Sequence, residues 1–399
     1  MFARKLTPQE YWRASLNMAV AFESGFEYEN EREKVREAGP KEDLYGAFHQ
    51  EGEPPVASLV MNKKEVRFDG HTVKMGGVGG VATLPAHRRG GAIRVCMEES
   101  LRDLYREGYA LSHLYPFSTG YYRQFGFAPA GQSVRWTVKL RDLRGLPEAG
   151  GTVRQLFPGD SPAPLLDIYN KMYGDVNFSC LREAFDKDLE GDKPLAAKRW
   201  VFVWYGGDGT PRGFLVGTRV KETLHCCPTF PSNDAFLFTD AQALIGLLSF
   251  VRTAFIANFE EIQFMVPAHV DLCALLPELS SMECRPALNG MARAVNVEAL
   301  LKLCRCQGEG EALLKVTDGV IPENNGTFRL AFGPGRENQV ARTDSAPDVE
   351  LDVGNLAVLL GGARDAASMA LTPDIVVHGN LPALSQVFYR KPCHVLDLF

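Results

Sequence analysis

The stretch GGVGGVATLPAHRRGGAIRVCMEESL, residues 76–101, decides the fold. Its first part has the composition of a strand that ends near Thr83. A short basic loop follows. The chain then enters a helix whose apolar face repeats at three- and four-residue spacing, through Ile93, Met97 and Leu101. The stretch therefore predicts a strand–loop–helix unit.

The loop of this unit ends in Arg88, Arg89, Gly90 and Gly91, where the helix begins. The first backbone N–H groups of a helix have no partner within the helix and lie at the positive end of its dipole. Such a start binds phosphate or pyrophosphate, and Gly91 allows a close backbone approach. Taken alone, the stretch fits equally well an ordinary loop with two solvated arginines. It is not a Walker loop, because no GK[ST] follows, and the glycines within 76–80 precede the turn, unlike a dinucleotide fingerprint.

Similar patterns of strands and helices surround this unit and recur along the chain. After a charged, Pro- and Gly-containing linker at 141–151, a second region repeats the order of strands, long helix and strand, and a third region begins near Gly290. The predicted strands are 55–61, 66–68, 71–83, 109–115, 133–140, 200–205, 214–220, 224–227, 262–266, 293–296, 313–317, 327–332 and 349–352. The predicted helices are 91–107, 120–125, 241–258, 297–304 and 354–360.

Composition narrows the class of protein. The 399 residues are 45% hydrophobic and 23% charged, with a net charge of -6, which excludes a disordered chain. An acidic chain without a long Lys/Arg run argues against nucleic acid or an anionic membrane as the main partner, and suits a cationic substrate better.

The nine cysteines and the N-terminal sequence indicate the cellular compartment in which the protein is expected. The cysteine count is odd and lacks a disulfide framework, so we expect reduced thiols, including Cys304 and Cys306. These two lack the spacing of a zinc site, and no metal is expected. The N-terminus has no apolar signal-peptide core and no segment is apolar enough to span a bilayer, so the sequence predicts a cytoplasmic protein.

Two motifs resemble those of the GNAT acetyltransferases. Residues 88–93, RRGGAI, resemble the acetyl-CoA motif R/Q-x-x-G-x-G/A, with Ile93 where Gly or Ala is usual. With an apolar residue at this position, the motif resembles that of the Eis (enhanced intracellular survival) branch. FSTGYYRQFGF, residues 117–127, resembles the GNAT segment YxxFGF. GMARAVNVEALL (290–301) and DVELDVGNLAVLLGGARDAASM (348–369) resemble the carboxy-terminal part of the Eis family.

The resemblance implies an α+β (α/β) fold of three parts. These are a GNAT acetyltransferase domain at 1–145, a degenerate GNAT-like domain at 146–288 and a sterol-carrier-protein-like domain at 289–399. The central region has no basic pair or glycine between Cys227 and Asp240, so it is expected to be structural. The family resemblance also implies a homo-oligomer, a hexamer.

The resemblance also assigns residues to acetyl-CoA. The backbone of Val81 and Thr83 is expected to pair with the pantetheine arm. The residues expected to hold the pyrophosphate are Arg88, Arg89, Gly91 and Ala92.

The catalytic groups follow from the same resemblance. Tyr122 matches the general acid that protonates the leaving thiolate, and Tyr121 beside it is the alternative if the register is shifted by one. The carboxylate of Phe399 is expected to help take the amine proton. Glu23 and Glu27 could face the amine pocket, but a solvated face explains them as well.

The implied function is an acetyl-CoA-dependent N-acetyltransferase. The acceptor would be a primary amine of a small polycation, such as an aminoglycoside-like molecule or polyamine, or a peptide lysine. Two alternatives stay open: a GNAT enzyme with another acyl donor, and a carrier of an apolar ligand that uses the third domain. Fold alone does not decide between them.

Overall fold

The computed structural model describes residues 1–33, 42–228, 234–395 and 397. Its strands, in chain order, are β1 Phe2–Lys5, β2 Glu42–Phe48, β3 Ala57–Phe68, β4 His71–Thr83, β5 Leu111–Leu114, β6 Ala128–Lys139, β7 Thr152–Gln155, β8 Trp200–Tyr205, β9 Pro211–Val220, β10 Thr223–Cys226, β11 Ala235–Phe238, β12 Glu261–Pro267, β13 Glu283–Ala294, β14 Gly310–Thr317, β15 Gly326–Phe332, β16 Gln339–Thr343, β17 Val349–Asp352 and β18 Val376–Val377.

The helices alternate with these strands. In chain order they are α1 Tyr11–Ala21, α2 Tyr28–Glu33, α3 Ala92–Arg106, α4 Thr119–Arg123, α5 Ala163–Tyr173, α6 Lys193–Ala196, α7 Ala241–Phe255, α8 Val297–Leu303, α9 Val353–Leu360, α10 Ala366–Met369 and α11 Leu381–Val387.

The chain divides into two compact units. The first joins Met1–Ala130 with Gly290–Asp397, and the second comprises Gly131–Asn289. The first unit thus contains both the region with the RRGG loop and the third region of the sequence. The division into domains at 145 and 288 remains a prediction, because contacts group residues without marking family boundaries.

The first unit is built on a sheet in the order β1-β2-β3-β4-β5-β13. Its neighbours are antiparallel except β4 and β5, which are parallel. The turn Asp69-Gly70 joins β3 to β4 with both residues at positive φ, 50° and 86°, the geometry that suits a two-residue hairpin. Helix α3 forms the crossover from β4 to β5, as a parallel pair requires.

Helix α3 packs its apolar side onto this sheet. Met97, Leu101 and Leu104 are buried in one cluster with side chains of β3 and β4, which is the face that the sequence predicts. On its outer side, Arg102 donates to Glu98 at 3.2 Å. A smaller cluster, including Tyr11 and Leu44, covers the opposite side of the sheet beneath α1.

A second sheet of the first unit comes from the carboxy-terminal third of the chain. Its order is β16-β15-β14-β17-β18, with β14 and β17 parallel. Helix α9, whose eight residues are all buried, follows β17 directly. Asp352 begins this helix and accepts a hydrogen bond from the Asn355 backbone N–H at 2.7 Å.

The strands of the second unit follow one another in the order β6-β12-β10-β9-β8-β7, with β11 paired to β9. Here β10 and β12 are parallel, and the long helix α7 lies between them in sequence. Asp240 caps α7 as predicted, accepting from the Ala243 N–H at 2.9 Å. The second unit therefore also has a parallel strand pair joined by a segment that contains a 15-residue helix.

Two expectations differ from the structure. The predicted strands 55–61 and 66–68 are one strand, β3. Its polar middle stays extended because Asn62–Glu65 pair with Lys74–Gly77 of β4, and Lys63 also contacts Asp43 of β2 at 2.9 Å. Only the first two residues of the predicted strand 293–296 are in a strand, the longer β13, in which Met291–Ala294 pair with Leu114–Leu111 of β5. Asn296 instead caps α8, which begins at Val297.

Candidate active site

A bulge in β4 opens the sheet where the motif begins. Ser58 pairs with Ala82 but Val60 pairs with Gly79, so β4 holds one extra residue at this point. Gly80 has φ 54°, and a Cβ there would lie 2.7 Å from Met18 Sδ and 2.9 Å from Val60 Cγ2. Only glycine fits this conformation and this space.

The parallel pairing of β4 with β5 stops just before the bulge. The described ladder joins Met75–Val78 to Leu111–Leu114, whereas β4 continues to Thr83. The bulge also increases the local twist of β4. Val81 and Thr83, the positions that the sequence assigns to the pantetheine arm, therefore lie beyond the end of the ladder with β5.

The loop after β4 turns into α3 through two left-handed residues. Pro85–His87 form a short 3-10 turn, Arg89 has φ 64° and Gly91 has φ 81°. A positive φ at a non-glycine residue costs energy and is concentrated at functional sites. A Cβ at Gly91 would meet no heavy atom within 4 Å, so open space lies directly in front of the helix.

The basic side chains of this loop are exposed. Arg88, Arg89 and Gly91 all face solvent, while Ala92 begins the helix and is buried. Gly91 has no side chain to cap α3, so the first N–H groups of the helix have no side-chain cap from this position. All six residues predicted to bind acetyl-CoA thus lie on one continuous segment, from the end of β4 to the first residue of α3.

Tyr122 lies in an aromatic cluster near the end of the short helix α4. The hydroxyl of Ser118 caps this helix by accepting from the Tyr121 N–H at 3.3 Å. The Tyr122 ring is 3% exposed, and its centroid lies 5.4 Å from that of Phe117 and 5.3 Å from that of Tyr121. Tyr122 belongs to the buried cluster that contains Ile93 of α3, and both Val81 and Tyr121 pack against that cluster.

This environment keeps the Tyr122 phenol protonated. Burial, with a smaller contribution from Tyr121, raises the pKa of Tyr122 well above its usual range. Burial also raises the pKa of Tyr121. A phenol that remains neutral at physiological pH can donate a proton, which is the state that a general acid needs.

The turn after Tyr122 is held by a buried arginine that the sequence analysis did not single out. Arg293 of β13 is fully buried and its Nη1 donates to the Phe125 carbonyl oxygen at 2.6 Å. Its Nη2 forms an ion pair with Asp318. A Cβ on Gly126 would lie 2.7 Å from Val353 Cγ2 of α9. The signal available in the sequence was a charged residue flanked by apolar residues in MARAV, at an inward position of a strand.

The segment near the end of the chain lies against β5. Tyr115 donates its hydroxyl hydrogen to the Val395 carbonyl oxygen at 2.6 Å. His113 of β5 is buried, and burial lowers its pKa to about 3, opposed by the charge of Asp397. Phe399 lies outside the described residues, so its catalytic role stays a prediction.

The remaining candidates have ordinary surroundings. Glu23 and Glu27 are exposed, as a solvated face requires. Among the described residues, no group of three or more His, Cys, Asp or Glu could hold a metal ion. No helix within the described ranges is long and apolar enough to cross a bilayer.

Comparison with known proteins bears directly on this geometry. The acetyltransferase (GNAT) domain family matches residues 3–130, and the sterol carrier protein domain family matches residues 297–394. N-acetyltransferase Eis of Mycobacterium bovis (strain BCG / Pasteur 1173P2) is 28% identical over 312 residues, covering 74% of this chain and 72% of the relative. The chain is an acetyltransferase that carries a GNAT domain and is similar to the Eis N-acetyltransferases.

Solved structures share the fold of this Eis-like acetyltransferase along its whole length. Eis1 from Mycobacterium abscessus superimposes with a TM-score of 0.76 at 19% identity, covering 100% of this chain and 99% of the other. A probable N-acyltransferase from Enterococcus faecalis V583 gives a TM-score of 0.82 at 20% identity, with the same coverage. The resemblance and the enzyme class predicted from the sequence are confirmed. The GNAT fold and a sterol-carrier-type region near the carboxy terminus are confirmed as well.

Proposed function

We propose that this protein transfers the acetyl group of acetyl-CoA to a primary amine of a small polycation or of a peptide lysine. The observation that carries the proposal is the continuous segment of bulged β4, left-handed loop and α3. It combines an opened strand edge, two exposed arginines and open space before a helix start.

The described residues fit acetyl-CoA, which supplies an activated acetyl group as a thioester. Backbone groups of Val81 and Thr83 lie beyond the end of the β4–β5 ladder and suit hydrogen bonds to an amide-containing arm. Arg88 and Arg89 provide charge-assisted hydrogen bonds for phosphate oxygens, and the open position at Gly91 allows those oxygens to approach the N–H groups of α3. The backbone geometry of residues 81–92 and their hydrogen-bond donors therefore both suit acetyl-CoA.

Tyr122 would supply the proton in the transfer. Attack by a neutral amine expels a thiolate, and a neutral phenol held beside it can protonate that leaving group. Ring contacts with Phe117, Tyr121 and Phe127 restrict the orientation of Tyr122, which aligns its hydroxyl without a cost at the moment of reaction.

The surface beside Tyr122 favours a cationic acceptor. Phe117 is 74% exposed, and its ring contacts both Tyr121 and Tyr122. An exposed aromatic face attracts an ammonium group by about 0.5–1 kcal/mol. The net charge of -6 acts in the same direction, raising the local concentration of cations.

Substitution of both loop arginines tests the proposal. Arg88→Ala with Arg89→Ala should raise the apparent KM for acetyl-CoA by about tenfold or more, equivalent to about 1.4 kcal/mol. The matched control is Arg141→Ala with Arg144→Ala, an exposed pair of the second unit, which should leave KM unchanged. Release of coenzyme A is measured against a panel of polyamines, aminoglycosides and lysine peptides. A folded double variant with unaltered KM contradicts the proposed acetyl-CoA site.

The finer organisation belongs to the same proposal. Two tandem GNAT-like domains are supported by the parallel pair β10–β12 and helix α7 of the second unit, which repeat the arrangement of β4, α3 and β5. A closed homo-oligomer, a hexamer, is proposed from the family resemblance, and light scattering measures it directly.

The match to the sterol carrier protein domain family favours one second candidate, binding of an apolar ligand. A thermal shift assay compares acetyl-CoA with a long-chain fatty acid. Stabilisation by the fatty acid alone would support the carrier function over the transferase.

A further inference from the structure

Two thiols lie side by side in the loop after α8. The sulfur atoms of Cys304 and Cys306 are 3.9 Å apart. Cys304 is 4% exposed, whereas Cys306 is partly exposed and can be reached from solvent. Only Arg305 separates the two cysteines in sequence, and in this loop conformation their side chains lie on the same side.

The surroundings favour the thiolate form of Cys306 and hold Cys304 in place by hydrogen bonds. The Cys304 thiol lies within hydrogen-bond reach of the Cys306 sulfur, and this lowers the pKa of Cys306. The Lys391 ammonium acts in the same direction, and burial opposes both. Asn338 donates through its side-chain amide to the Cys304 carbonyl oxygen at 2.7 Å and approaches the Cys304 sulfur at 3.4 Å. An accessible cysteine of lowered pKa beside a second thiol is the arrangement found at redox-sensitive sites.

We propose that Cys304 and Cys306 form an oxidisable dithiol site that reacts with a hydroperoxide. In the first step the Cys306 thiolate attacks one peroxide oxygen and the O–O bond breaks. Cys306 becomes a sulfenic acid, and the second oxygen takes a proton and leaves as water or an alcohol. In the second step the Cys304 sulfur attacks the Cys306 sulfur, the S–O bond breaks and the hydroxyl leaves as water with the Cys304 proton. The two thiols lose two electrons and the peroxide gains them.

Oxidation would act on a contact inside the first unit. The Arg305 N–H donates to Asp69 Oδ2 at 2.7 Å, and Lys391 Nζ donates to the Arg305 carbonyl oxygen at 3.0 Å and to Asp69 Oδ2 at 2.6 Å. A disulfide brings the sulfurs to about 2.05 Å and so rotates the peptide groups on both sides of Arg305. These groups hold the turn between β3 and β4, so the oxidised protein should be less stable than the reduced one.

Tryptic mapping tests the proposal without reference to acetyl transfer. Reduced protein is treated with a small excess of hydrogen peroxide, blocked with an alkylating reagent and digested. Trypsin cleaves after Lys302, Arg305 and Lys315, so a bond between the two cysteines links the peptides LCR and CQGEGEALLK. We expect this linked pair before other thiols are lost, and its disappearance with dithiothreitol. The melting temperature should fall on oxidation and return on reduction.

Two variants make the result decisive. Cys306→Ser should leave Cys304 unoxidised after peroxide and alkylatable once the protein is unfolded. In the native protein the contact with Cys306 and burial both raise the pKa of Cys304, and the burial remains in this variant. Cys273→Ser removes an exposed thiol whose pKa is raised, and should leave the linked pair unchanged. Two unlinked peptides after treatment, or oxidation of Cys273 ahead of the pair, would overturn the proposal. So would a linked pair that forms in denatured but not in native protein.

Discussion

Gly91→Ala and Gly108→Ala form a matched pair that separates folding from acetyl-CoA binding. Gly91 precedes α3 with φ 81°, and Gly108 follows the same helix with φ 76°. A Cβ at either position would meet no heavy atom within 4 Å. The two substitutions therefore impose the same conformational penalty and no steric overlap.

The structure sets the size of each effect. A left-handed conformation costs an L-residue about 1–2 kcal/mol, so both variants should lose about this much free energy of unfolding. Only Gly91 lies between the exposed arginines and the first turn of α3. A methyl group there would occupy the space through which phosphate oxygens approach in the proposed site. A loss of about 1.4 kcal/mol raises the apparent KM for acetyl-CoA by about tenfold.

Urea denaturation measures the first effect, and coenzyme A release at varied acetyl-CoA measures the second. We expect equal losses of stability, with KM raised in Gly91→Ala and unchanged in Gly108→Ala. Equal KM values in all three proteins would refute the assignment of the loop. An equal rise of KM in both variants would show that lowered stability, rather than the loop, controls binding.

Three further predictions concern the side chains of Tyr122, His113 and Arg293. Tyr122→Phe should lower kcat by roughly 10²-fold with little change in KM for acetyl-CoA, whereas Tyr121→Phe should retain most activity; the reverse order would move the acid by one residue. The lowered pKa of His113 means that the unfolded chain takes up a proton below about pH 6.5 that the folded chain does not. The free energy of unfolding should therefore fall by about 1.4 kcal/mol per pH unit as the pH drops from about 6.5 towards 3. His113→Gln should flatten this pH dependence, measured by urea titration at each pH. An unchanged pH dependence would show that His113 is not its source. Arg293→Met should cost about 3–5 kcal/mol of unfolding free energy, because it leaves the Asp318 carboxylate buried without its cation. Adding Asp318→Asn should recover part of that loss, and strict additivity in denaturation would show that the pair is not coupled.

Local signals in the sequence predicted the elements that local chemistry determines. Strand β4 begins and ends at the predicted residues because the turn Asp69-Gly70 fixes one end and Pro85 follows the other. Helix α3 begins at Ala92, one residue after the predicted start, because Gly91 takes the left-handed conformation that precedes it. The course of the backbone from β4 to α3 could therefore be predicted from the motif alone, whereas the roles of its residues stay predictions.

Features that depend on distant parts of the chain were not predictable in this way. The polar middle of β3 broke its apolar pattern, and it stays extended because the strand pairs with β4 on one side and β2 on the other. The role of Arg293 depends on Asp318 and on the Phe125 carbonyl, which lie in different parts of the sequence. To predict the bulge at Gly80, one must know the register of β4 against β3, and amino-acid composition does not determine that register.

The strand that completes the sheet beside β5 has a consequence for synthesis of the protein. Leu114 pairs with Met291, and the Phe125 carbonyl accepts from an arginine 168 residues later. At about 5–20 residues per second, a ribosome takes roughly 8–34 s to make the intervening chain. During that interval the nascent acetyltransferase region carries an open strand edge and an unsupported turn after Tyr122. This region therefore needs either a chaperone or the rest of its own chain before it can hold a catalytic geometry.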